Sequence, residues 1–361
     1  MPSSDVVIIG GGIIGCALAH RLANDKLRVT LVERRQPGRE ASWAAAGMLA
    51  PTSETPHFDE HEAEVAAASA ALYPQWLERL GVRGGVGYRT EGTLQVAFSD
   101  DEAAALAALP GERLSGAEAR RLAPALSDRI VAAVFLPRDV QVDNRQLVAA
   151  VAEQALSAGV KFVTGVEVRQ LVFKSAAIVG VRMTSGEILS TGAVVNAAGC
   201  WAGQLDPQRT PTRPIRGQML ALSGGEAVGL RHVLRSPRGY ILPRADGRLV
   251  IGSTSEDVGY DKSLTPAGLR QLLAAAIELV PSAASLPFAE AWAGLRPDSP
   301  DHAPILGATD IENYFVATGH YRNGILLAPI TAELVGDVLL GRKPRVSLDP
   351  FSPQRFAAGG G

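Results

Sequence analysis

The pattern of apolar and polar positions opens on residues 6–9, an apolar run with no polar break. Such a run is expected of a strand buried on both faces of a parallel sheet. A glycine-rich turn follows at 10–15, then a helix over 13–23 and a second apolar strand over 28–33, a complete βαβ opening. Small residues fill a loop over 38–50, a polar stretch covers 51–64, and a helix then runs through Leu80. From residue 88 the period shortens. Alternating β-branched runs at 88–99 and 130–142 predict antiparallel strands. An amphipathic helix is expected over 144–159, strands over 161–190 with a Ser185-Gly186 turn, and a further apolar strand over 193–199. Residues 213–254 return to an antiparallel pattern with a two-residue Asp246-Gly247 hairpin turn. A helix over 266–280, a strand over 314–319, a loop over 320–324 and a helix over 325–340 close the pattern, and the final AAGGG reads as a loose end.

Composition narrows the class. The chain has 361 residues and is 47% hydrophobic, which is enough for a large core and makes two domains the expectation. A formal net charge of -2 gives no electrostatic case for nucleic acid or an anionic membrane as partner. Arginine outnumbers lysine thirty to five, so an isolated arginine carries little information outside a motif. Cys16 and Cys200 cannot build a disulfide framework, and neither lies in a C-x-x-C pair. The opening MPSSD leads straight into a strand without a basic n-region or cleavage site, and no run reaches the ~20 apolar residues of a membrane span. These features lead us to expect a soluble, cytoplasmic protein.

The chemistry begins at Gly10-x-Gly12-x-x-Gly15. Gly10 permits a tight turn, Gly12 lets a pyrophosphate approach the backbone, and Gly15 allows the helix to pack closely on the strand. The helix N-terminus then offers free N–H groups and a positive dipole end to phosphates. Glu33, at the end of the second strand, suits a ribose hydroxyl and disfavours a 2′-phosphate. This pattern predicts a dinucleotide but does not separate FAD from NAD. The segment Ser42-Trp43-Ala44-Ala45-Ala46-Gly47-Met48-Leu49 does, because its small side chains leave room for a planar ring against the backbone.

GGGIIG, then Glu33, then AAAGML resembles the D-amino-acid-oxidase-type flavoproteins and, within them, the bacterial glycine oxidases of thiamine biosynthesis. Two later segments, Val194 to Gly199 (VVNAAG) and Tyr314 to Leu327 (YFVATGHYRNGILL), resemble the family's second ADP-side strand and its closing strand, loop and helix. The resemblance covers nearly the whole chain. It implies an α/β fold: a discontinuous Rossmann-type FAD-binding domain (1–85, 141–212 and 300–345) and a mainly antiparallel substrate domain (86–140 and 213–299). It also implies FAD held by Gly10, Gly12, Ile13, Ile14 and Gly15 at the turn, and by Glu33 and Arg34 after the second strand. Ala41, Ser42, Ala45, Ala46, Gly47 and Met48 would line the small-residue loop, with Val166, Ala198 and Gly199 beside them. Gly319, His320, Tyr321, Arg322, Asn323, Gly324, Ile325 and Leu326 would close the far end, where a helix N-terminus stabilises negative charge on the reduced ring. Neither cysteine lies in the Arg-Asn-Gly region where sarcosine-oxidase relatives attach flavin, so FAD is expected to be non-covalent.

For the substrate, WAGLRP resembles the family segment whose arginine, here Arg296, pairs with a carboxylate. A guanidinium fork suits that task because it donates two parallel hydrogen bonds. Tyr240 in GYILPR and Arg322 in GHYRNG match the family's other substrate contacts, making Tyr240, Arg296 and Arg322 the expected catalytic set. Two positions depart from the family: Arg238 stands where histidine is usual, and Ser255 where methionine is usual. If Arg238 shares a strand face with Tyr240, the pocket gains a fixed cation; Ser255 leaves extra room. The implied reaction transfers hydride from Cα of glycine or a related amino acid to flavin N5. The imine hydrolyses, and O2 is reduced to H2O2. Three alternatives stay open: an oxidase of an N-substituted glycine or larger D-amino acid, a dehydrogenase passing electrons to a carrier, and a flavin-binding protein without turnover. Oligomeric state is open too, a homo-oligomer included. His57 and His61 lie four apart in an acidic stretch, but no third ligand accompanies them and no metal is expected.

Overall fold

A computed structural model describes residues 4–54, 58–82 and 84–359; His57 and the last two glycines of AAGGG lie outside them. Eight strands form the first sheet. Its path runs Ile305–Ala308, Tyr314–Thr318, Ile188–Asn196, Ser4–Ile9, Val29–Glu33, Lys161–Thr164. The five strands from Tyr314–Thr318 to Lys161–Thr164 pair in parallel, and Ile305–Ala308 is an antiparallel edge. The hairpin of Val168–Lys174 and Ala177–Met183 extends from Ile188–Asn196. The helices Ile13–Asn24, Glu60–Arg79, Asn144–Ser157 and Gly324–Leu339 pack on this sheet through one core that includes Leu18, Leu77, Val151 and Leu334. Parallel strands can be covered this way because both faces carry apolar side chains. The open ends of these strands meet at Gly10 and Ala198, where a crevice forms as the chain crosses from one side of Ser4–Ile9 to the other.

The second sheet also has eight strands, in the order Phe288–Asp298, Arg213–Leu222, Leu249–Gly252, Gly239–Pro243, Val233–Ser236, Thr93–Ala97, Ala132–Leu136, Glu112–Ser115. It is antiparallel at every pairing but one: Val233–Ser236 runs parallel to Thr93–Ala97. Its outer face is covered by the helix Pro266–Leu279, through Leu272, Ala276 and Leu279 against Leu220, Leu234 and Ile251. The inner face carries a row in register across the strands: Trp292, Met219, Gly252, Tyr240, Arg235, Gln95, Val134. That row faces the crevice of the first sheet.

Several expectations need correction. The Asp246-Gly247 hairpin is not a two-residue turn: the Arg244 N–H donates to the Arg248 carbonyl at 2.8 Å, closing a three-residue loop with Gly247 at φ 81°. Only Thr93–Ala97 of the 88–99 run is a strand. The longest strand, Phe288–Asp298, goes unpredicted by the hydrophobic pattern, as do Glu112–Ser115 and the helices Asp100–Ala105 and Gly116–Leu122. Both helices carried a readable start, Ser99 and Ser115 each accepting from the N–H three residues on. Among the described residues no helix is long and apolar enough to cross a membrane.

Candidate active site

The first helix starts at Gly12, which is extended at φ -72° and has no side-chain cap, so its leading N–H groups face outward. Ser42 Oγ accepts from Ile13 N–H at 3.0 Å. The three glycines of the turn do different work. A Cβ on Gly15 would sit 2.0 Å from the Gly10 carbonyl oxygen, and one on Gly10, at φ 105°, would sit 2.5 Å from that of Ala197. A Cβ on Gly12 would meet only Ser42 Oγ, at 3.3 Å. Gly10 and Gly15 are therefore required by packing, while Gly12 leaves space at the mouth of the crevice. The Glu33 carboxylate is buried and accepts from Gly11 N–H at 2.7 Å and Arg35 N–H at 2.9 Å, which points it at the same place.

Beside the turn, residues 42–47 are held by their carbonyls. Asn144 Nδ2 donates to Ser42 and Trp43 oxygens, both at 2.9 Å, and Trp292 Nε1 donates to that of Ala44 at 3.0 Å. The buried Arg244 guanidinium bonds the Ala46 carbonyl, that of Val142 at 2.6 Å and Asn144 Oδ1 at 3.2 Å. Burial among these neutral groups pushes its pKa down to about 10. Gly47, at φ 77°, turns the chain where a Cβ would strike the Val142 carbonyl at 2.2 Å. Gly294 lets the loop press against the second sheet, since a Cβ there would lie 2.3 Å from that of Ala44.

A cavity of about 1060 Å³ joins these parts, and residues of both sheets line it. Gly10, Gly12, Ile13, Ile14, Glu33, Arg34, Ala41, Ser42, Ala45, Ala46, Gly47 and Met48 border it, as do Val166, Ala198, Gly199, His320, Tyr321, Arg322, Asn323, Gly324 and Ile325. Gly15, Gly319 and Leu326, expected at the cofactor, do not: Gly15 packs behind the turn, Gly319 against Ile305, and Leu326 is buried in the core. His320 borders the cavity, but its imidazole is buried and bonds Thr331 Oγ1 at 3.0 Å. Burial pushes that imidazole's pKa down to about 3, so it is neutral.

Tyr240, Ser255, Arg296 and Arg322 border the same cavity. Arg296 lies on Phe288–Asp298 on the face of Trp292 and Gly294, with its guanidinium over Gly217, where a Cβ would intrude to 2.5 Å. It donates through Nη1 to the carbonyls of Thr254 at 3.1 Å and Arg216 at 3.4 Å, and through Nη2 to Ser253 Oγ at 2.6 Å. No carboxylate pairs with it among the described residues. Desolvation lowers its pKa, with the nearby Arg322 adding to the effect. A guanidinium remains charged under such shifts, so the cavity holds an unneutralised cation. The Tyr240 hydroxyl makes a 3.3 Å contact with Met219 Sδ, and Arg322 lies over the Tyr321 ring at 5.1 Å.

Arg238 requires the main correction. It sits in the turn before Gly239–Pro243, so strand alternation does not place it with Tyr240. It borders the cavity, yet its guanidinium pairs with Glu102 at 2.9 Å and Glu278 at 3.2 Å and lies over Phe98. It is no free cation. The cation in register with Tyr240 is Arg235, unpredicted, which bonds Ser53 Oγ and Glu54, each at 2.6 Å. Arg34 was expected beside Glu33, but its partners were not: its guanidinium lies 3.6 Å from the Trp201 ring centre and bonds Glu40, which Lys262 holds from the other side at 2.9 Å. Cys16 and Cys200 are buried, and desolvation pushes both thiols up to about 12, far from reactive thiolates. His61 is exposed, and no group of three potential metal ligands occurs among the described residues.

A phosphate-ready turn, a ribose-directed acid and a carbonyl-pinned loop of small residues opposite an unpaired cation suit a flavin dinucleotide and an anionic substrate. Residues 5–338 match the family described as FAD dependent oxidoreductase (DAO), and the chain belongs to it. It therefore carries an FAD-dependent oxidoreductase domain of that family. It is 39% identical to the bifunctional protein ThiO/ThiG of Trichormus variabilis, over 98% of this chain and 55% of that protein, so it spans about half the length of that relative. It is 34% identical to the glycine oxidase of Pseudomonas putida, over 98% of this chain and 99% of that one. The crystal structure of glycine oxidase from Geobacillus kaustophilus superposes with a TM-score of 0.91 at 33% identity, covering 98% of this chain and 99% of that one.

Proposed function

We propose that this protein oxidises glycine or a closely related amino acid, with Arg296 anchoring the substrate carboxylate and Tyr240 and Arg322 completing the recognition. The observation that carries the reading is the Arg296 guanidinium, desolvated in the cavity that the phosphate turn opens and without an acidic partner among the described residues. A carboxylate entering there gains charge-assisted, bidentate hydrogen bonds with little competition from water. Bound FAD supplies the two-electron acceptor for the substrate's Cα hydride. The protein's part is to fix the amino acid and exclude competing water. The amino acid would leave as a 2-oxo acid and ammonia after hydrolysis of its imine, with O2 taking the two electrons as H2O2. We take the FAD to be non-covalent, since neither buried thiol is available as a thiolate.

Strand membership supports the division into an FAD-binding domain (1–85, 141–212 and 300–345) and a substrate domain (86–140 and 213–299): apart from the short pair Met48–Leu49 and Val140–Gln141, each strand joins the sheet that this division assigns to it. A second substrate reading, an N-substituted glycine or larger D-amino acid, rests on Ser255, whose short side chain borders the cavity. It no longer rests on Arg238, which two glutamates neutralise. The test is a peroxide-coupled screen of glycine, sarcosine, N-alkyl glycines and D-amino acids, run in parallel with an artificial electron acceptor. Peroxide with glycine supports the first reading. Turnover with the acceptor alone makes the protein a dehydrogenase, and turnover with neither sinks both. In the same assay Arg296→Ala should lose about 3 kcal/mol, two orders of magnitude in kcat/KM, while its flavin spectrum is retained. Arg296→Lys should recover part of that, and normal kcat/KM in Arg296→Ala would refute the assignment.

A further inference from the structure

Arg296 is aimed by two main-chain carbonyls and the Ser253 hydroxyl, which places the burden of its orientation on whatever fixes the segments that carry them. Two segments supply them, Arg216–Gly217–Gln218 on Arg213–Leu222 and residues 253–254 after Leu249–Gly252. Gly217 faces the cavity, so Arg216 and Gln218, one residue to either side of it, point to the opposite face of the sheet. There both meet a single carboxylate. Glu256 accepts from Arg216 Nη2 at 2.5 Å, from Gln218 Nε2 at 2.8 Å and from Thr254 Oγ1 at 2.5 Å. The main chains of Arg216 and Glu256 exchange N–H to carbonyl bonds of 2.8 and 3.0 Å, and Gln218 N–H donates to Thr254 Oγ1 at 2.9 Å.

We propose that Glu256 is a positioning residue for substrate carboxylate recognition, binding the Arg216–Gln218 and Thr254 segments together from the outer face of the sheet so that their carbonyls hold the Arg296 fork at a fixed angle. The proposal rests on the reading of Arg296 as the carboxylate anchor. Its logic is geometric: bidentate pairing tolerates misorientation of about 10–20° before the second hydrogen bond is lost. Arg216 is almost wholly buried, and its other partner, Asp261, is half exposed, so Glu256 is its protected counter-charge. Burial alone would raise the Glu256 carboxyl, but the bonds from Arg216, Thr254 and Gln218 together hold it below the usual carboxylate range. It is therefore ionised at neutral pH and accepts from all three donors. In Glu256→Gln the shape is kept, but an amide N–H₂ turned toward Arg216 would meet a guanidinium that has no lone pair to accept its hydrogen bond.

The experiment uses the FAD-loaded protein. Acetate, a carboxylate without an amine, is titrated against the flavin absorbance, and inhibition by glycine ethyl ester, which lacks the carboxylate, is measured alongside. Glu256→Gln should raise the acetate Kd and the glycine KM about tenfold, leave kcat within about threefold, and shift the ester's inhibition less than about twofold. Glu256→Asp should fall between the parent and Glu256→Gln for acetate. A merely structural role predicts a different result, in which acetate and ester weaken together or FAD is shed, and that overturns the proposal. Where Glu256→Gln fails to fold, Thr254→Val removes one link of the same hub and should weaken acetate selectively in the same way. Arg296→Ala separates the two readings. Unchanged acetate affinity in Arg296→Ala sinks the anchor itself. Lost affinity there, with Glu256→Gln and Thr254→Val both like the parent, sinks only the positioning role.

Discussion

Gly10, Gly12 and Gly15 occupy one turn yet answer to different constraints, and substitution should separate them. At Gly15 any Cβ collides with the Gly10 carbonyl, so Gly15→Ala should destabilise the fold whether or not FAD is present. At Gly12 the backbone angle suits any residue and only Ser42 Oγ lies near, so the added side chain of Gly12→Val projects into the space a pyrophosphate needs. Gly12→Val should fold with the apoprotein's melting temperature and fail to retain FAD; a yellow, FAD-saturated Gly12→Val protein would show that the phosphates lie elsewhere. His320 invites a second test at this scale. Its folded pKa, about 3, lies below the ordinary value of 6.5, so the unfolded chain takes up the proton first. The stability it contributes is complete above about pH 6.5 and is lost as pH falls toward 3, by about 2 kcal/mol at pH 5. His320→Gln keeps a hydrogen bond to Thr331 without titrating. Urea melts at pH 7 and pH 5 should differ by about 2 kcal/mol less in His320→Gln than in the parent, and equal differences would remove His320 as the source.

Among the elements, the loop of residues 42–47 is set by groups far away in sequence: Asn144, Arg244 and Trp292 take its carbonyls from three different elements. Asn144→Ala removes two of these bonds at a site only 2% exposed, and should cost about 2–3 kcal/mol of loop order, read as weaker FAD binding and faster cleavage near residue 43 in limited proteolysis. Unchanged FAD affinity and cleavage would mean that the other grips suffice. This scale also explains what the sequence could reveal. The βαβ opening was readable because each piece is locally complete: an apolar run, a glycine turn and a helix with its own periodicity. Phe288–Asp298 was not, because its cavity face mixes Trp292, Gly294 and Arg296 and its other face opens with three alanines before Leu295 and Pro297, so alternation never surfaces. The motifs did pick out Arg296, Tyr240 and the small-residue loop, which border one cavity. They did not pick out Arg244, Asn144 and Glu256, since their partners are backbone atoms or side chains that only the folded sheets bring near, and one more arginine in an arginine-rich chain signals nothing. Arg238 was misplaced because a two-residue spacing was read as strand alternation across a turn.

At the scale of the molecule two eight-stranded sheets enclose the cavity, and described side chains at its far end bridge them directly. Lys262, from the segment between Leu249–Gly252 and Pro266–Leu279, reaches Glu40, while Tyr260 packs on Trp201 and donates to the Cys200 carbonyl at 2.9 Å. A dinucleotide lying along this cavity would touch both sheets, act as a non-covalent cross-link and stabilise the folded state by mass action. At a free FAD concentration of 100 times Kd the gain should be about 2.7 kcal/mol, visible as a higher melting temperature that scales with FAD. Lys262→Ala removes one of the bridges at that end, leaving Tyr260 in place and the phosphate turn untouched. It should leave the apoprotein's melting temperature nearly unchanged, since half-exposed ion pairs contribute about 0–1 kcal/mol, and should increase the rate at which FAD fluorescence appears on dilution. If Lys262→Ala releases FAD at the parent rate while Gly12→Val cannot load it at all, the phosphate turn governs retention and the Lys262–Glu40 bridge plays no part in it.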